Sequence, residues 1–250
     1  MAYPVYSYPP SVVLGLAVNV FFGGRRSFRG DGQACLARLD PPLRVEGAGN
    51  FPACGPAVLT FNHYYRPGFS AWWMALALAA AAPAEVHFAM TGELTYPGKW
   101  YAALGRAGSR LLLRRLGRIY GFTTMPPMPP RPGDVEARAR AVRRVLAYTR
   151  SHPQALIGLA PEGGDQPGGR VSLPAPGAGR FLLLLAGLGF GMVPVGICEE
   201  AGALRLRCGP AYRLSVPEGL PADERDREAA AAVMRPIAAL LPEHLRGDFG

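Results

Sequence analysis

One histidine directly follows an apolar stretch, at a position where catalytic side chains often occur. Residues 57–61 (AVLTF) lead into Asn62 and His63, and helix-like sequence begins a few residues later. An imidazole titrates near neutral pH, and a histidine at the lip of a sheet is well placed to act as a general base. Such a base needs a carboxylate that orients it, yet the first one downstream is Glu85. The orienting group must therefore come from another part of the chain.

A second loop with charged groups follows another apolar stretch. Residues 155–160 (ALIGLA) predict a fully buried strand, and the loop after it carries Glu162, Gly163 and Asp165. In open α/β sheets the ligand site lies beyond the carboxyl ends of the strands, so we expect this loop to meet His63 there. An adjacent carboxylate would favour the charged imidazole and fix its orientation. Either Glu162 or Asp165 can supply it.

Strand-like and helix-like segments alternate along most of the chain. Several of the strands are apolar throughout, which is typical of strands covered on both faces. We therefore predict an α/β fold with a mostly parallel mixed sheet and helices on both faces, formed as one domain by residues 43–250. The predicted strands are 43–47, 57–61, 85–90, 117–122, 155–160, 192–197 and 203–208; the predicted helices are 69–82, 99–116, 135–150, 180–190 and one from about 222.

Residues 1–42 differ in character from this domain. Their apolar run, 12–22, is shorter than the roughly 20 residues that span a bilayer, and a basic cluster at 25–29 follows it. No basic region precedes the run, so we expect no signal peptide. An apolar segment beside basic residues suits an interfacial anchor on an anionic leaflet. A first helix packed on the body is the other interpretation, and both remain open at this point.

Charge and cysteine content limit the partners. The formal net charge is +9, which favours an acidic carrier protein, a phosphorylated ligand or an anionic membrane surface. The chain has no zinc-finger, helix-turn-helix or RNP-like pattern, so we expect no nucleic acid. The four cysteines show no CxxC spacing and predict no metal site, although a Cys198–Cys208 bridge between neighbouring strands stays open.

Three stretches in order resemble one family. They are FNHYYRPG around His63, APEGG around Glu162 and MVPVGI at 192–197. The glycerolipid (lysophospholipid) acyltransferase family, which includes 1-acylglycerol-3-phosphate acyltransferases, is marked by NHxxxxD, a later PEG block and a VPV block. The segment TGELTYPGKWYAALG and the ending LPEHLRG are also similar to that family. The resemblance covers roughly residues 43–250.

The resemblance implies an acyltransferase-like fold and a reaction. A fatty acyl group would pass from acyl-CoA or acyl carrier protein to a lipid hydroxyl, with no cofactor beyond that co-substrate. His63 would be the general base, and Glu162, Gly163, Arg66 and Arg180 would bind the acceptor. The enzyme would act in lipid metabolism at the cytoplasmic face of the membrane, as a peripheral or monotopic protein.

The sequence also departs from the family pattern at three places. Gly68 stands where the family aspartate follows the histidine, and Phe122 and Thr123 stand where the second block has Asp-Arg. Gly164 and Asp165 replace the Thr-Arg after PEG. The family arginines are implied to bind the phosphate of the acceptor. Because this sequence lacks those arginines, it argues against an acceptor that carries a phosphate.

The first and third blocks have changed charge in opposite senses. The first lacks a carboxylate and carries Arg66, while the third lacks an arginine and carries Asp165. We predict that Asp165 or Glu162 orients His63, or that Asp165 pairs with Arg66 instead. Three functions follow: acylation of a lipid, acylation of a non-phosphorylated acceptor such as a carotenoid, sugar or lipid alcohol, or an inactive acyltransferase fold that binds lipid or a partner.

Overall fold

The computed structural model describes residues 3–96, 98–128 and 130–250. Over these residues, strands and helices alternate after two N-terminal helices. The strands are β1 (Arg44–Glu46), β2 (Ala57–Phe61), β3 (Val86–Thr91), β4 (Thr123–Met125), β5 (Leu156–Leu159), β6 (Gly191–Glu200) and β7 (Ala203–Cys208). The helices are α1 (Pro10–Phe22), α2 (Phe28–Leu36), α3 (Trp72–Ala81), α4 (Ala102–Tyr120), α5 (Val135–Ser151), α6 (Ala178–Gly187) and α7 (Ala222–Ala239).

The strands form one seven-stranded sheet with the order β1-β7-β6-β2-β5-β3-β4. Neighbouring strands are parallel except for β6 and β7, which form an antiparallel pair. Strands β2 and β5 lie inside the sheet and are buried along their whole length, as their apolar sequences predict. The mostly parallel mixed sheet expected from the sequence is confirmed.

The helices divide between the two faces of this sheet. The connections from β2 to β3 and from β3 to β4 step toward the β4 edge, whereas those from β4 to β5 and from β5 to β6 step back. Because such crossovers are right-handed, α3 and α4 lie on one face and α5 and α6 on the other. Helices α1 and α2 pack with α4 and α3, and α7 packs on α6. Helices therefore cover both faces.

The N-terminal segment is joined to the domain through α2. Phe28, at the start of α2, is almost completely buried among four aromatic rings, from Trp72, Phe88, Tyr120 and Phe122. Helix α1 is different, because most of its large apolar side chains are exposed. No helix within the described residues has the length and apolarity needed to cross a bilayer.

One strand expected from the sequence is corrected. Residues 117–122 are not a strand, because α4 continues to Tyr120 and the strand β4 begins at Thr123. Leu113, Leu116 and Ile119 are buried at a spacing of three, so the packed face of α4 extends through this stretch and outweighs its local strand preference.

The disulfide left open by the sequence is not formed, since all four cysteines are free. In the antiparallel pair Cys198 lies opposite Arg205, and Cys208 lies opposite Val195. The two cysteines are therefore on adjacent strands but three residues out of register, which is too far apart for a bridge without backbone movement.

Close packing of α6 on α7 gives a first prediction. A β-carbon on Gly179 would lie 1.9 Å from the backbone oxygen of Asp226, whereas one on Gly187 of the same helix would meet nothing within 4 Å. We expect Gly179→Ala to lower the free energy of unfolding by about 3 kcal/mol, because α6 and α7 must separate. Gly187→Ala should leave it unchanged or raise it by up to about 1 kcal/mol. Urea unfolding compares the two; equal effects would contradict the close approach.

Candidate active site

The backbone leading into His63 is fixed by its neighbour Asn62. The Asn62 side chain is buried, its Nδ2 donates to the carbonyl of Ile197 at 2.9 Å, and its Oδ1 accepts from the Ile197 N–H at 2.8 Å. The amide thus pairs with β6 as one more strand residue would. The pairing continues the attachment of β2 to β6 beyond Phe61 and sets the position from which His63 leaves the sheet.

Glu162 holds the His63 backbone from the other side. Its carboxylate is only 3% exposed; Oε2 accepts from the His63 N–H at 2.8 Å and Oε1 from the Ser172 N–H at 2.9 Å. Both oxygens therefore face backbone donors in two loops, a role that the sequence did not suggest. Acceptor binding by Glu162 stays a prediction, and the structure gives this residue a positioning role.

Asp165 is the carboxylate that meets the His63 imidazole. Its Oδ1 lies 2.8 Å from His63 Nδ1. The oxygen lies off the N–H direction, so this close approach is not a hydrogen bond and Nδ1 is buried without a hydrogen-bond partner among the described residues. Asp165 is half exposed and His63 is mostly covered. Of the two carboxylates considered, the structure thus brings Asp165 to the ring, and no residue that the structure describes forms a hydrogen bond with Nε2.

Arg66 pairs with Glu199 and not with Asp165, the partner considered from the sequence. Its guanidinium forms a two-pronged ion pair with Glu199, with Nη2 at 2.7 Å from Oε1 and Nε bonded to Oε2. These bonds raise the pKa of Arg66 above its usual value. The guanidinium also lies over the Tyr3 ring at 3.8 Å. The pairing of Arg66 with Asp165 is therefore wrong, and Arg66 is not free for an acceptor in this arrangement.

Glu199 is a member of the site that no sequence pattern indicates. It lies near the end of β6 with its side chain buried, and besides Arg66 it accepts hydrogen bonds from the Tyr6 and Tyr64 hydroxyls at 2.8 and 3.2 Å. Burial raises the pKa of both tyrosines, which stay protonated as donors. Because Glu199 lies 133 residues from Arg66, no local pattern points to this ion pair.

The loop also explains the position of Gly68. Its backbone is left-handed, with a φ of +80°, which an L side chain rarely adopts. A β-carbon there would lie 3.5 Å from Arg66 Nη1. An aspartate at this position would therefore be strained and would start beside the Arg66 guanidinium. The backbone conformation of this loop therefore favours glycine at position 68.

The remaining predicted residues divide between the site edge and the surface. Gly163 approaches Met128 so closely that a β-carbon would lie 2.7 Å from its Cγ. Arg180 lies in the first turn of α6 with an exposed side chain, and its Nη2 is 3.9 Å from Asp223 Oδ1. The structure does not bring Arg180 to His63 through any described contact.

Phe122 and Thr123, which the sequence resemblance aligns with a conserved block, make contacts in the interior. The Phe122 ring packs edge-on against Phe28, and the Thr123 hydroxyl is 2.9 Å from His87 Nε2. Burial lowers the pKa of His87 to about 4, so this second histidine stays neutral near pH 7. His87 is therefore a packed core residue, as its place inside a strand predicts.

An apolar cleft of about 120 Å³ opens beside the loop that carries Glu162. It lies beyond the carboxyl ends of β3, β4 and β5 and is bordered by α5 and α6, with Pro161 and Gly163 in its wall. Its large apolar walls come from Met90, Met125, Met128, Val142, Leu159 and Phe181. The only charged side chain among its described lining residues is Arg138. Because the lining comes from separate segments, no single stretch of sequence indicates it.

The buried carboxylate of Glu162 gives a prediction for stability against pH. Burial raises the pKa of Glu162 from 4.5 to about 6, although the N–H donors favour its ionised form. The folded protein thus holds this proton more tightly than the unfolded chain, so the free energy of unfolding should fall as pH rises from 4.5 to about 6. The fall should be about 2 kcal/mol and then stop.

Glu162→Gln removes this titration and serves as the matched control. The difference in the free energy of unfolding, wild type minus variant, should decrease with pH across that window and be constant above it. Urea unfolding at half-unit steps measures it. A difference that increases with pH would contradict the raised pKa.

Comparison with known proteins supports the fold. No family model matches the sequence, and no curated protein matches it. Among solved structures, the crystal structure of the 1-acyl-sn-glycerophosphate (LPA) acyltransferase PlsC from Thermotoga maritima is similar to this chain, with a TM-score of 0.53. The match covers 92% of this chain and 90% of that chain at 15% identity. At this identity the likeness concerns architecture alone, and the chain has an acyltransferase-like α/β fold.

Proposed function

We propose that the protein is an acyltransferase that moves a fatty acyl group from acyl-CoA or acyl carrier protein to the hydroxyl of a lipid or lipid alcohol. The observation that carries this proposal is the 2.8 Å contact of His63 Nδ1 with Asp165 at the carboxyl edge of the sheet. A histidine with a carboxylate on one nitrogen and the other nitrogen free is the arrangement of a general base. The fold likeness to an acyltransferase supports the choice of reaction.

The proposed chemistry uses His63 twice. Nε2 takes the proton of the acceptor hydroxyl while the oxygen attacks the thioester carbonyl carbon. The tetrahedral intermediate then collapses, the carbon–sulfur bond breaks, and the imidazolium returns the proton to the leaving thiolate. Asp165 favours the imidazolium that exists between these steps because its carboxylate lies next to Nδ1. Glu162 keeps the histidine backbone fixed throughout.

The apolar cleft supports a fatty substrate. Its methionine, valine, leucine and phenylalanine walls offer an apolar surface next to the Glu162 loop. We propose that it receives the acyl chain, since burial of each methylene contributes about 0.8 kcal/mol. The net charge of +9 supports an anionic donor, such as the phosphates of CoA or an acidic carrier protein.

The ion pairs that the arginines near the site form favour, as a second candidate, an acceptor without a phosphate. Arg66 is engaged by Glu199, and the exposed Arg180 lies beside Asp223. Phe122 and Thr123, which replace the family's Asp-Arg, are committed to core contacts. Among the described residues, Arg138 is then the one cationic side chain in the cleft wall, and its Nη2 donates to the Pro127 carbonyl.

Activity depends on His63 in this proposal. We expect His63→Ala to lower kcat/KM for acyl transfer by at least about a hundredfold, because the acceptor hydroxyl loses its base. His244→Ala, at an exposed histidine far along the chain, is the control and should be unchanged. Transfer of radiolabelled acyl groups from acyl-CoA or acyl carrier protein measures it. A wild-type protein that binds lipid yet acylates no acceptor would instead be an inactive acyltransferase fold.

Asp165 should matter less than the orienting aspartate of a buried triad, whose loss costs about 10⁴ in turnover. The contact here is half exposed and off the hydrogen-bond direction, so we expect Asp165→Asn to lower kcat by roughly 10- to 100-fold. Asp223→Asn, at a fully exposed aspartate, is the control. Adding Gly68→Asp to Asp165→Asn should not restore the rate, because of the left-handed backbone at position 68. Full activity of Asp165→Asn would contradict this role.

The acceptor class is tested with a matched pair of substrates. Monoacylglycerol and lysophosphatidate differ at the phosphate, and we expect a higher kcat/KM for the acceptor without it. Arg138→Gln should then leave the rate with monoacylglycerol nearly unchanged. A strict requirement for the phosphate would exclude the non-phosphorylated acceptor.

A further inference from the structure

Ser172 is linked to His63 through a single side chain. The Ser172 N–H donates to Glu162 Oε1 at 2.9 Å, and Glu162 Oε2 accepts from the His63 N–H at 2.8 Å. The carboxylate that joins them is almost completely buried. A shift of the Ser172 backbone would therefore move Glu162 and, with it, the backbone from which the imidazole projects. Whatever holds Ser172 in place also affects His63.

Both neighbours of Ser172 are bonded to a segment that follows α7. The Val171 N–H donates to the Leu245 carbonyl at 2.8 Å, and the Asp248 N–H donates to the Val171 carbonyl at 3.2 Å. On the other side, the Leu173 N–H donates to Asp248 Oδ2 at 2.9 Å. The segment from Leu245 to Asp248 is called here the clamp segment. Three hydrogen bonds hold the residues before and after Ser172 against it.

The clamp segment is itself fixed to the domain. Leu245 is buried in the core, and Phe249, directly after the segment, packs against the same core. Gly247 has a left-handed backbone with a φ of +50°, and a β-carbon on it would lie 1.9 Å from the backbone oxygen of Val171. The clamp segment and Val171 are therefore in backbone-to-backbone contact, which leaves no space for a side chain between them.

Helix α7 holds the far end of the same stretch. Asp226 is buried, and its carboxylate accepts from the Gly177 N–H and the Arg180 N–H, each at 2.6 Å. Residues 171–177 form no helix or strand of their own. Their course is set instead by α7 at one end and by the clamp segment at the other. The position of Ser172 thus depends on residues far from it in the sequence.

The loop after β5 also lies directly against the loop of His63. Gly169 has a φ of +66°, and a β-carbon on it would lie 2.7 Å from the backbone oxygen of Tyr65, two residues after the histidine. A movement of the stretch that follows Gly169 would therefore disturb the His63 loop at two places, at the Glu162 hydrogen bond and at this contact.

We propose that Asp248 is a positioning residue for His63. Its carboxylate fixes Leu173 and so the neighbouring Ser172, whose N–H keeps Glu162 in place under the histidine backbone. This inference rests on the proposed function, in which His63 is the base. Proton transfer depends on narrow limits of geometry, and a displacement of about 1 Å caused by a distant substitution can cost on the order of a hundredfold in rate. The clamp segment thus takes part in the reaction without touching a substrate.

Substitution of Asp248 separates this role from a general effect. We expect Asp248→Ala to lower kcat for acyl transfer by about tenfold and to leave KM for the acyl donor nearly unchanged, because only the base is misplaced. Asp248→Asn keeps an acceptor oxygen for the Leu173 N–H and should retain most of the wild-type kcat. Glu243→Ala, at an exposed carboxylate with no hydrogen bond to residues 171–173 in the described structure, is the control. Equal losses in Asp248→Ala and Asp248→Asn would overturn the proposal.

A double-mutant cycle tests the route through Glu162. Glu162→Ala removes the link between Ser172 and His63. In that background Asp248→Ala should change kcat by no more than about twofold, because two substitutions that act through one connection are not additive. A second loss of about tenfold, equal to the loss in the wild-type background, would show that Asp248 does not act through Glu162 and would overturn the route.

Hydrogen–deuterium exchange measures the position of His63 without any acyl donor, and it needs only the Asp248 variants. In Asp248→Ala the peptide spanning residues 61–66, which contains the His63 amide, should exchange at least about fivefold faster, whereas a peptide from β6 should not change. Faster exchange in both peptides would indicate general destabilisation and would overturn the proposal.

The exchange result also separates this inference from the proposed function. A wild-type protein that acylates no acceptor, together with the expected response of the 61–66 peptide, would overturn the proposed function and support the positioning of His63. An active wild-type protein whose 61–66 peptide exchanges at the same rate in Asp248→Ala would overturn the inference and leave the proposed function in place.

Discussion

A buried carboxylate joins the segments from which the candidate site is built. Glu162 accepts one backbone N–H from His63 on Oε2 and another from Ser172 on Oε1, so a single side chain ties two loops together. Charge in the interior is costly, which is why burial raises the pKa of this group to about 6. Two backbone donors offset part of that cost. The position of the His63 loop relative to β5, the neighbouring strand, therefore depends on Glu162.

A second ion pair, between Arg66 and Glu199, shapes the same edge of the sheet. It is closed over by the Tyr3 ring and by the hydroxyls of Tyr6 and Tyr64. The residues before α1 thus complete the surroundings of the His63 loop, and the N-terminal segment is part of the architecture of the site. This arrangement also separates two charges that the sequence pattern places together, since Arg66 meets Glu199 while Asp165 meets His63.

Much of the architecture could be predicted because it follows from local patterns. The apolar runs of β2 and β5 indicate buried parallel strands, and the rule that the carboxyl ends of such strands meet predicts that the loops of His63 and Asp165 lie together. Pairings between distant residues could not be predicted. Glu199 lies in an ordinary strand ending, and nothing in its neighbours indicates Arg66 as its partner. The end of α4 could not be placed for a related reason, because packing against the domain decides whether residues 117–120 extend a helix.

The attachment of His63 has a consequence for how such a site can change. Asn62 fixes the backbone before the histidine and Glu162 fixes its own N–H, so the imidazole is carried by a frame that does not involve its acid partner. A histidine held in this way can take a carboxylate from one loop or from another without moving. If His63 is the base that we propose, the loop after β5 can supply its carboxylate as well as the loop after β2 could. In that proposal a glycine at position 68 is compatible with a histidine whose carboxylate comes from Asp165.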